Sequence, residues 1–180
     1  MTDRLRSVLA SLQAYGAIGP TSLDAAIAHA DRFVRALPTG PARVVDLGSG
    51  GGLPGLVIAA RRPDLTIVLV ERRQRRADLL QRAVGALGLG AEVRAADVAE
   101  LAATDGGAFD VVTARSFGPP LVTAGWAARL LRPGGVALIS EPPDAPGNRW
   151  PSAQLEALGL RDEGVTDGIR HLRRDVPRET

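Results

Sequence analysis

The segment Val44-Val45-Asp46-Leu47-Gly48-Ser49-Gly50-Gly51-Gly52-Leu53-Pro54-Gly55 holds the residues best suited to cradle a polar ligand. An apolar run ends, the glycines Gly48, Gly50 and Gly52 permit a tight turn with positive φ, and a helix opens at the proline. Backbone amides at such a turn and helix N-terminus attract an anionic or strongly polar group. A glycine-rich turn alone is shared with NAD- and FAD-binding folds. Two acidic residues narrow the reading. Asp46 stands just before the first glycine, where a dinucleotide fingerprint normally carries an apolar residue. Glu71 closes the next apolar run, about twenty residues on, where a carboxylate can accept hydrogen bonds from both hydroxyls of a ribose.

The third apolar run, Glu92 to Ala96, ends at Asp97. In a doubly wound sheet that edge borders the same crevice, so Asp97 is placed either to hold an adenine amino group or to cap the helix that follows. No Ser/His/Asp set is visible. His29 and His171 are far apart without metal-ligand spacing; both read as surface or capping residues, and no metal is expected. With no cysteine, thiolate nucleophiles, thiolate metal sites and disulfides are excluded. Two arginine groups stand out: Arg72, Arg73, Arg75, Arg76 and Arg82 after Glu71, and Arg170, Arg173, Arg174 and Arg178 near the end. Each has two readings. One is phosphate neutralisation. The other is a solvated helix face paired with Asp78 and Glu71 for the first group, and an edge strand charged against aggregation for the second.

The elements that position these residues follow from periodicity. Two helical segments, roughly Asp3 to Tyr15 and Ser22 to Ala36, come first, broken by Leu37 to Pro41. Strands are expected at Arg43 to Leu47, Thr66 to Glu71, Glu92 to Ala96, Phe109 to Thr113 and Val136 to Ser140. Helices alternate with them at Pro54 to Arg61, Arg73 to Leu87 and about Pro120 to Leu131. Such alternation argues for a parallel doubly wound α/β sheet. After the Pro-rich loop Glu141 to Pro151 and a short helix near Ala153 to Leu158, Leu160 to Thr166 and Ile169 to Arg174 flank Asp167-Gly168. Asp-Gly between strands is a hairpin signal, so the sheet is expected to finish antiparallel.

Composition sets the bounds. A chain of 180 residues suits one α/β domain, here 1–180 with 1–38 as a helical segment packed on it. The apolar stretches are strand-sized, well short of the ~20 residues of a membrane span. The first residues lack a signal-peptide core, and the expectation is a cytoplasmic protein with no membrane partner. Net charge is only +2, so the all-arginine cations do not by themselves argue for nucleic acid.

Four blocks in order carry a family resemblance: Asp46 to Gly55, Leu69 to Ala83, Phe109 to Pro119, and Leu130 to Gly135. Over about Ser22 to Ile139 the chain resembles the GidB/RsmG family of small-subunit ribosomal RNA methyltransferases. The resemblance implies a Rossmann-like class I methyltransferase fold, S-adenosylmethionine as cofactor, and ribosomal RNA or the small ribosomal subunit as partner. It further implies methylation of the position-7 nitrogen of a guanine, with Gly48, Leu53, the Ala99-Glu100 pair and Arg115 lining the cofactor site and Arg115 lying where the methyl acceptor approaches. That nitrogen carries a lone pair and no proton, so transfer needs orientation rather than a general base.

The sequence departs from the family mainly on the acceptor side. The Trp-Asn-x-x-x-Asn-Leu-Thr stretch has no counterpart, and only Ile27-Ala28-His29-Ala30-Asp31 resembles the His-Phe-x-Asp-Ser segment. Ser140-Glu141-Pro142 replaces a Lys-Gly pair, and Val176-Pro177-Arg178 stands for a Tyr-Pro-Arg region. The resemblance therefore implies a diverged member, shortened at both ends. Three alternatives stay open: another acceptor such as a small molecule, a non-catalytic S-adenosylmethionine-binding module, and a nicotinamide-dependent oxidoreductase.

Overall fold

Helix α1 (Thr2–Ala14) buries Leu5, Leu9 and Leu12 at helical spacing, as its periodicity predicts. Helix α2 (Leu23–Ala36) buries Leu23, Ala26, Ala30 and Phe33, and its Ser22 cap accepts a hydrogen bond from the Ala25 amide at 3.3 Å. The structure, a computed structural model, describes residues 2–144 and 149–176. Pro177 and Arg178 lie outside the described residues.

Seven strands form one sheet: β1 (Arg43–Leu47), β2 (Thr66–Val70), β3 (Glu92–Arg94), β4 (Phe109–Ala114), β5 (Leu131–Ser140), β6 (Leu160–Thr166) and β7 (Ile169–Arg174). Their spatial order is β3-β2-β1-β4-β5-β7-β6. The first five run parallel, β7 enters antiparallel against β5, and β6 pairs antiparallel at the edge. Asp167 and Gly168, with φ of 51° and 74°, form the turn that the Asp-Gly signal predicts. Asp167 also pairs with Arg35, tying the hairpin to α2.

The near-continuous apolar strands are buried on both faces, as a parallel sheet requires. Val44, Leu69, Val111 and Leu138 pack with α1, α2, α3 (Gly55–Arg61) and α4 (Gln74–Leu87). Val45, Val68, Val112 and Leu172 pack with α5 (Val98–Asp105), α6 (Pro120–Leu130) and α7 (Ser152–Ala157). Two boundaries differ from expectation. The Arg132-Pro133-Gly134-Gly135 segment joins β5, with an irregular register against β4 between Phe109 and Val111, because its backbone continues the pairing across a bulge. Helix α5, too short to show clear periodicity, is delimited by its cap. None of the described helices is long and apolar enough to cross a membrane.

Strand order reverses between β1 and β4. Their carboxyl ends therefore open a crevice at the switch point, where doubly wound sheets hold ligands.

Candidate functional site

The Gly48–Gly55 turn sits at that switch point, and its shape is fixed from below. Asp46 is 1% exposed; one carboxylate oxygen accepts from the Thr113 hydroxyl at 2.8 Å and the other has no hydrogen-bond partner among the described residues. Burial pushes its carboxyl up to about 6, against the opposing pull of the Thr113 and Ser49 hydroxyls, the Gly55 amide and the Arg115 charge. A Cβ on Gly55 would lie 2.7 Å from Asp46 Oδ2, so glycine lets α3 start directly over the carboxylate. Gly48 has φ +62° and its Cβ position lies 2.9 Å from the Phe117 ring, so strain and space both exclude a side chain.

Glu71 is 5% exposed and clamps the turn from β2. One oxygen accepts from the Gly50 amide at 3.1 Å and the other from the Arg73 amide at 2.8 Å. A cleft of about 420 Å³ opens above it, with Gly48, Glu71, Arg76, Asp97, Phe117 and Trp126 among its lining residues. Asp97 caps α5, the second of the sequence readings, and is also among the residues lining this cleft. Its side chain accepts from the Ala99 amide at 2.9 Å, while Glu100 accepts from the Asp97 amide at 3.0 Å.

Of the residues singled out from sequence, Gly48, Glu71 and Asp97 line this cleft. Asp46, Gly50, Gly52, Leu53, Ala99 and Glu100 lie outside the lining of both clefts at the crevice. Asp46 and Gly50 frame the turn, Gly52 abuts Leu56 and Leu80, Leu53 packs into the core, and Ala99 and Glu100 serve the α5 cap.

A second cleft of about 300 Å³ adjoins the first, and Ser116, Phe117 and Gly118 line both. Arg115 faces it, half-buried, with no ion-pair or hydrogen-bond partner among the described residues; burial lowers its pKa and the Asp46 charge opposes that shift. His29 reaches the same cleft from α2 and shares a 3.0 Å hydrogen bond with Ser140 at the end of β5. Burial, then the Arg115 and Arg32 charges, hold His29 below its ordinary pKa. A surface role for His29 is thus replaced by a cleft role, and His171 places a buried Nε2 without a partner on β7. The Glu141 side chain, 7% exposed, gathers Arg149, Arg170 and the Trp150 indole N–H at the cleft wall. Sequence reasoning missed Phe117, Ser140, Glu141 and Trp150. Of these, the Ser140-Glu141-Pro142 departure was the signal available.

The two arginine groups separate. Among the described residues, no side chain of Arg72, Arg73, Arg75, Arg76 or Arg82 has an ion-pair or hydrogen-bond partner; the Asp78 carboxylate instead accepts from Gln74 at 2.8 Å. In the hairpin, Arg170 pairs with Glu141 and Asp162, Arg173 pairs with Glu163, and Arg174 donates to the Leu158 carbonyl.

The chain is similar to known proteins. Residues 27–141 match the GidB family, described as rRNA small subunit methyltransferase G. The protein named ribosomal RNA small subunit methyltransferase G of Salinispora arenicola is 44% identical over 130 residues, covering 67% of this chain and 53% of its own. Its namesake in Acidiphilium cryptum is 43% identical over 103 residues, covering 57% and 46%. The chain thus spans about half the length of the curated relatives it matches. A SAM-dependent methyltransferase from Aquifex aeolicus superposes with a TM-score of 0.59 at 15% identity, over 81% of this chain and 89% of that one. That likeness shows the Rossmann-like class I methyltransferase fold, which the strand order already implied. A family match across the glycine turn, the first cleft and the five parallel strands establishes that the chain belongs to the GidB family.

Proposed function

We propose that the chain is an S-adenosylmethionine-dependent methyltransferase acting in the cytoplasm on N7 of a guanine in small-subunit ribosomal RNA. Residues 1–180 act in this reading as one methyltransferase domain, with 1–38 packed on it. The carrying observation is the pair of clefts at one switch point with Ser116 to Gly118 in their common wall. A donor and an acceptor held in two such compartments meet at that wall. When bound, S-adenosylmethionine supplies a methyl group on a positively charged sulfur.

The first cleft fits this cofactor. Each Glu71 oxygen keeps a lone pair after accepting its backbone amide, which suits two neighbouring ribose hydroxyls. Gly48 leaves the turn bare beside Phe117, and Asp97 stands where an amino group can donate to it. The second cleft suits a planar, electron-rich base. Arg115 offers an unpaired guanidinium fork for a carbonyl or phosphate oxygen, and Trp150, Pro142 and Pro143 supply apolar wall. His29, held neutral, and Ser140 add a polar edge. A guanine N7 has no proton to lose, so these residues need only orient it and exclude water.

Transfer of tritium from labelled S-adenosylmethionine to purified small subunits and free ribosomal RNA tests this. Label recovered as 7-methylguanine is the expected result. Cofactor binding by calorimetry with no label in RNA overturns the assigned acceptor.

A further inference from the structure

The first turn of α4 breaks two rules of helix electrostatics at once. A helix N-terminus carries partial positive charge and is stabilised by acidic side chains. Here the cap is Arg73, Arg75 and Arg76 follow inside the helix, and the first turn contains no acid. Arg72, Arg73, Arg75 and Arg76 also place four like charges within five consecutive residues, where they repel. Many of the other arginines are paired, as Arg43 and Arg94 share Asp105, Arg62 holds Asp64, and Arg170, Arg173 and Arg174 have carboxylates or carbonyls, while Arg4, Arg115 and Arg129 stand singly without a carboxylate partner among the described residues. The two carboxylates nearest in sequence do not relieve the α4 cluster, since Glu71 holds backbone amides and Asp78 accepts from Gln74. Local rules broken without internal compensation mark a functional surface.

From this we infer that Arg72, Arg73, Arg75, Arg76 and Arg82 form a docking surface for the phosphate backbone of the RNA strand, separate from the pocket that receives the base. This inference rests on the RNA-directed reading above. The surface is continuous with the site, because Arg72, Arg73 and Arg76 line the first cleft, whose Ser116 to Gly118 wall also borders the second. Arg75 and Arg82 extend it along the helix beyond both clefts, two turns apart on one face. A phosphate backbone supplies the missing anions in a row, and guanidinium forks match phosphate oxygens. All of these arginines but Arg76 are exposed, so the contact with phosphates is electrostatic and independent of base sequence.

The test uses the full chain, an unmodified small-subunit ribosomal RNA transcript as probe, and affinity measured across a salt series. Arg75→Gln/Arg82→Gln leaves both clefts intact, and Arg173→Gln on the hairpin is the paired control. The double variant should bind RNA about tenfold more weakly at low salt, with the slope of log affinity against log salt smaller by about 1.5. Its affinity for S-adenosylmethionine should stay unchanged and its thermal midpoint should stay level or rise, because repulsion at the helix terminus has been removed. The control should match the unsubstituted protein in RNA affinity. Equal affinity and slope in the double variant overturn the docking surface, even where methyl transfer to RNA is observed. Preference for phosphatidylglycerol vesicles over RNA also overturns it. Loss of RNA binding in the double variant, with no methyl transfer by the unsubstituted protein, keeps the docking surface and removes the methylation reading.

Discussion

The two clefts are built from different materials. The first is walled by Gly48 at the head of the glycine turn, by Glu71, which fastens that turn through the Gly50 and Arg73 amides, and by Asp97, Phe117 and Trp126. The second is walled by side chains that meet only in space: His29 from α2, Arg115 after β4, Ser140 at the end of β5, and Trp150 gathered with Arg149 and Arg170 around Glu141. A glycine turn fastened by backbone hydrogen bonds to one buried carboxylate tolerates few substitutions where a side chain would clash, as at Gly48. A side-chain pocket assembled from distant elements can change its ligand while the sheet beneath stays the same.

The largest effect expected is at the backbone cradle. Gly48→Val places a β-branched residue at φ +62° and drives it into Phe117, 2.9 Å from the new Cβ. Strain of about 1–3 kcal/mol and a similar overpacking cost should weaken S-adenosylmethionine binding more than about a hundredfold. Calorimetric titration checks this, and near-normal affinity would show that the turn does not approach a ligand.

A smaller effect is expected in the side-chain pocket, and of a different kind. Arg115 has no partner to orphan, so Arg115→Ala should leave the thermal midpoint and cofactor affinity near those of the unsubstituted chain. Loss of one charge-assisted hydrogen bond, about 1.5–3 kcal/mol, should lower kcat/KM for RNA roughly ten- to a hundredfold. Loss of folding together with activity would make Arg115 structural and dissolve the contrast between the clefts.

A third effect is read in pH. The Asp46 carboxyl, raised from 3.8 to about 6 by burial, binds a proton more tightly in the folded chain than in the unfolded one. Its stabilising contribution is therefore complete at low pH and is lost as pH rises through about 6. Asp46→Asn should remove this fall, flattening the stability profile by up to about 1.4 kcal/mol per pH unit between the two pKa values. Urea unfolding at a series of pH values measures it, and parallel profiles would contradict the assignment. His29 acts with opposite sign, since its lowered pKa makes the folded state less stable as pH falls below its ordinary 6.5.

Much of the framework was legible in residue order. The Gly-rich turn, Glu71 at the end of β2 and the Asp167-Gly168 hairpin lie where periodicity and turn chemistry put them. Asp97 was legible as two readings, and the structure shows the cap directly while leaving Asp97 in the cleft lining. Ala99 and Glu100 follow Asp97 directly, yet the capping box turns them away from the cleft. A single-residue difference in helix start, invisible to periodicity, decides such a case. The two arginine groups looked alike in sequence, and they divide because the hairpin brings Glu141, Asp162 and Glu163 to one group and no acid to the other.

By itself, then, the sequence determined the strand and helix segments, the Asp-Gly hairpin turn, the glycine turn and the acidic residue closing the second strand run, because these follow from local periodicity and turn chemistry. Only the tertiary structure decided that His29, Arg115, Ser140 and Trp150 share one cleft, that Asp46 is sealed beneath the turn, and that the α4 arginines are left unpaired. Those outcomes depend on which strand ends are brought together, on how far water is excluded, and on where opposite charges end up. Strand packing and burial settle all three.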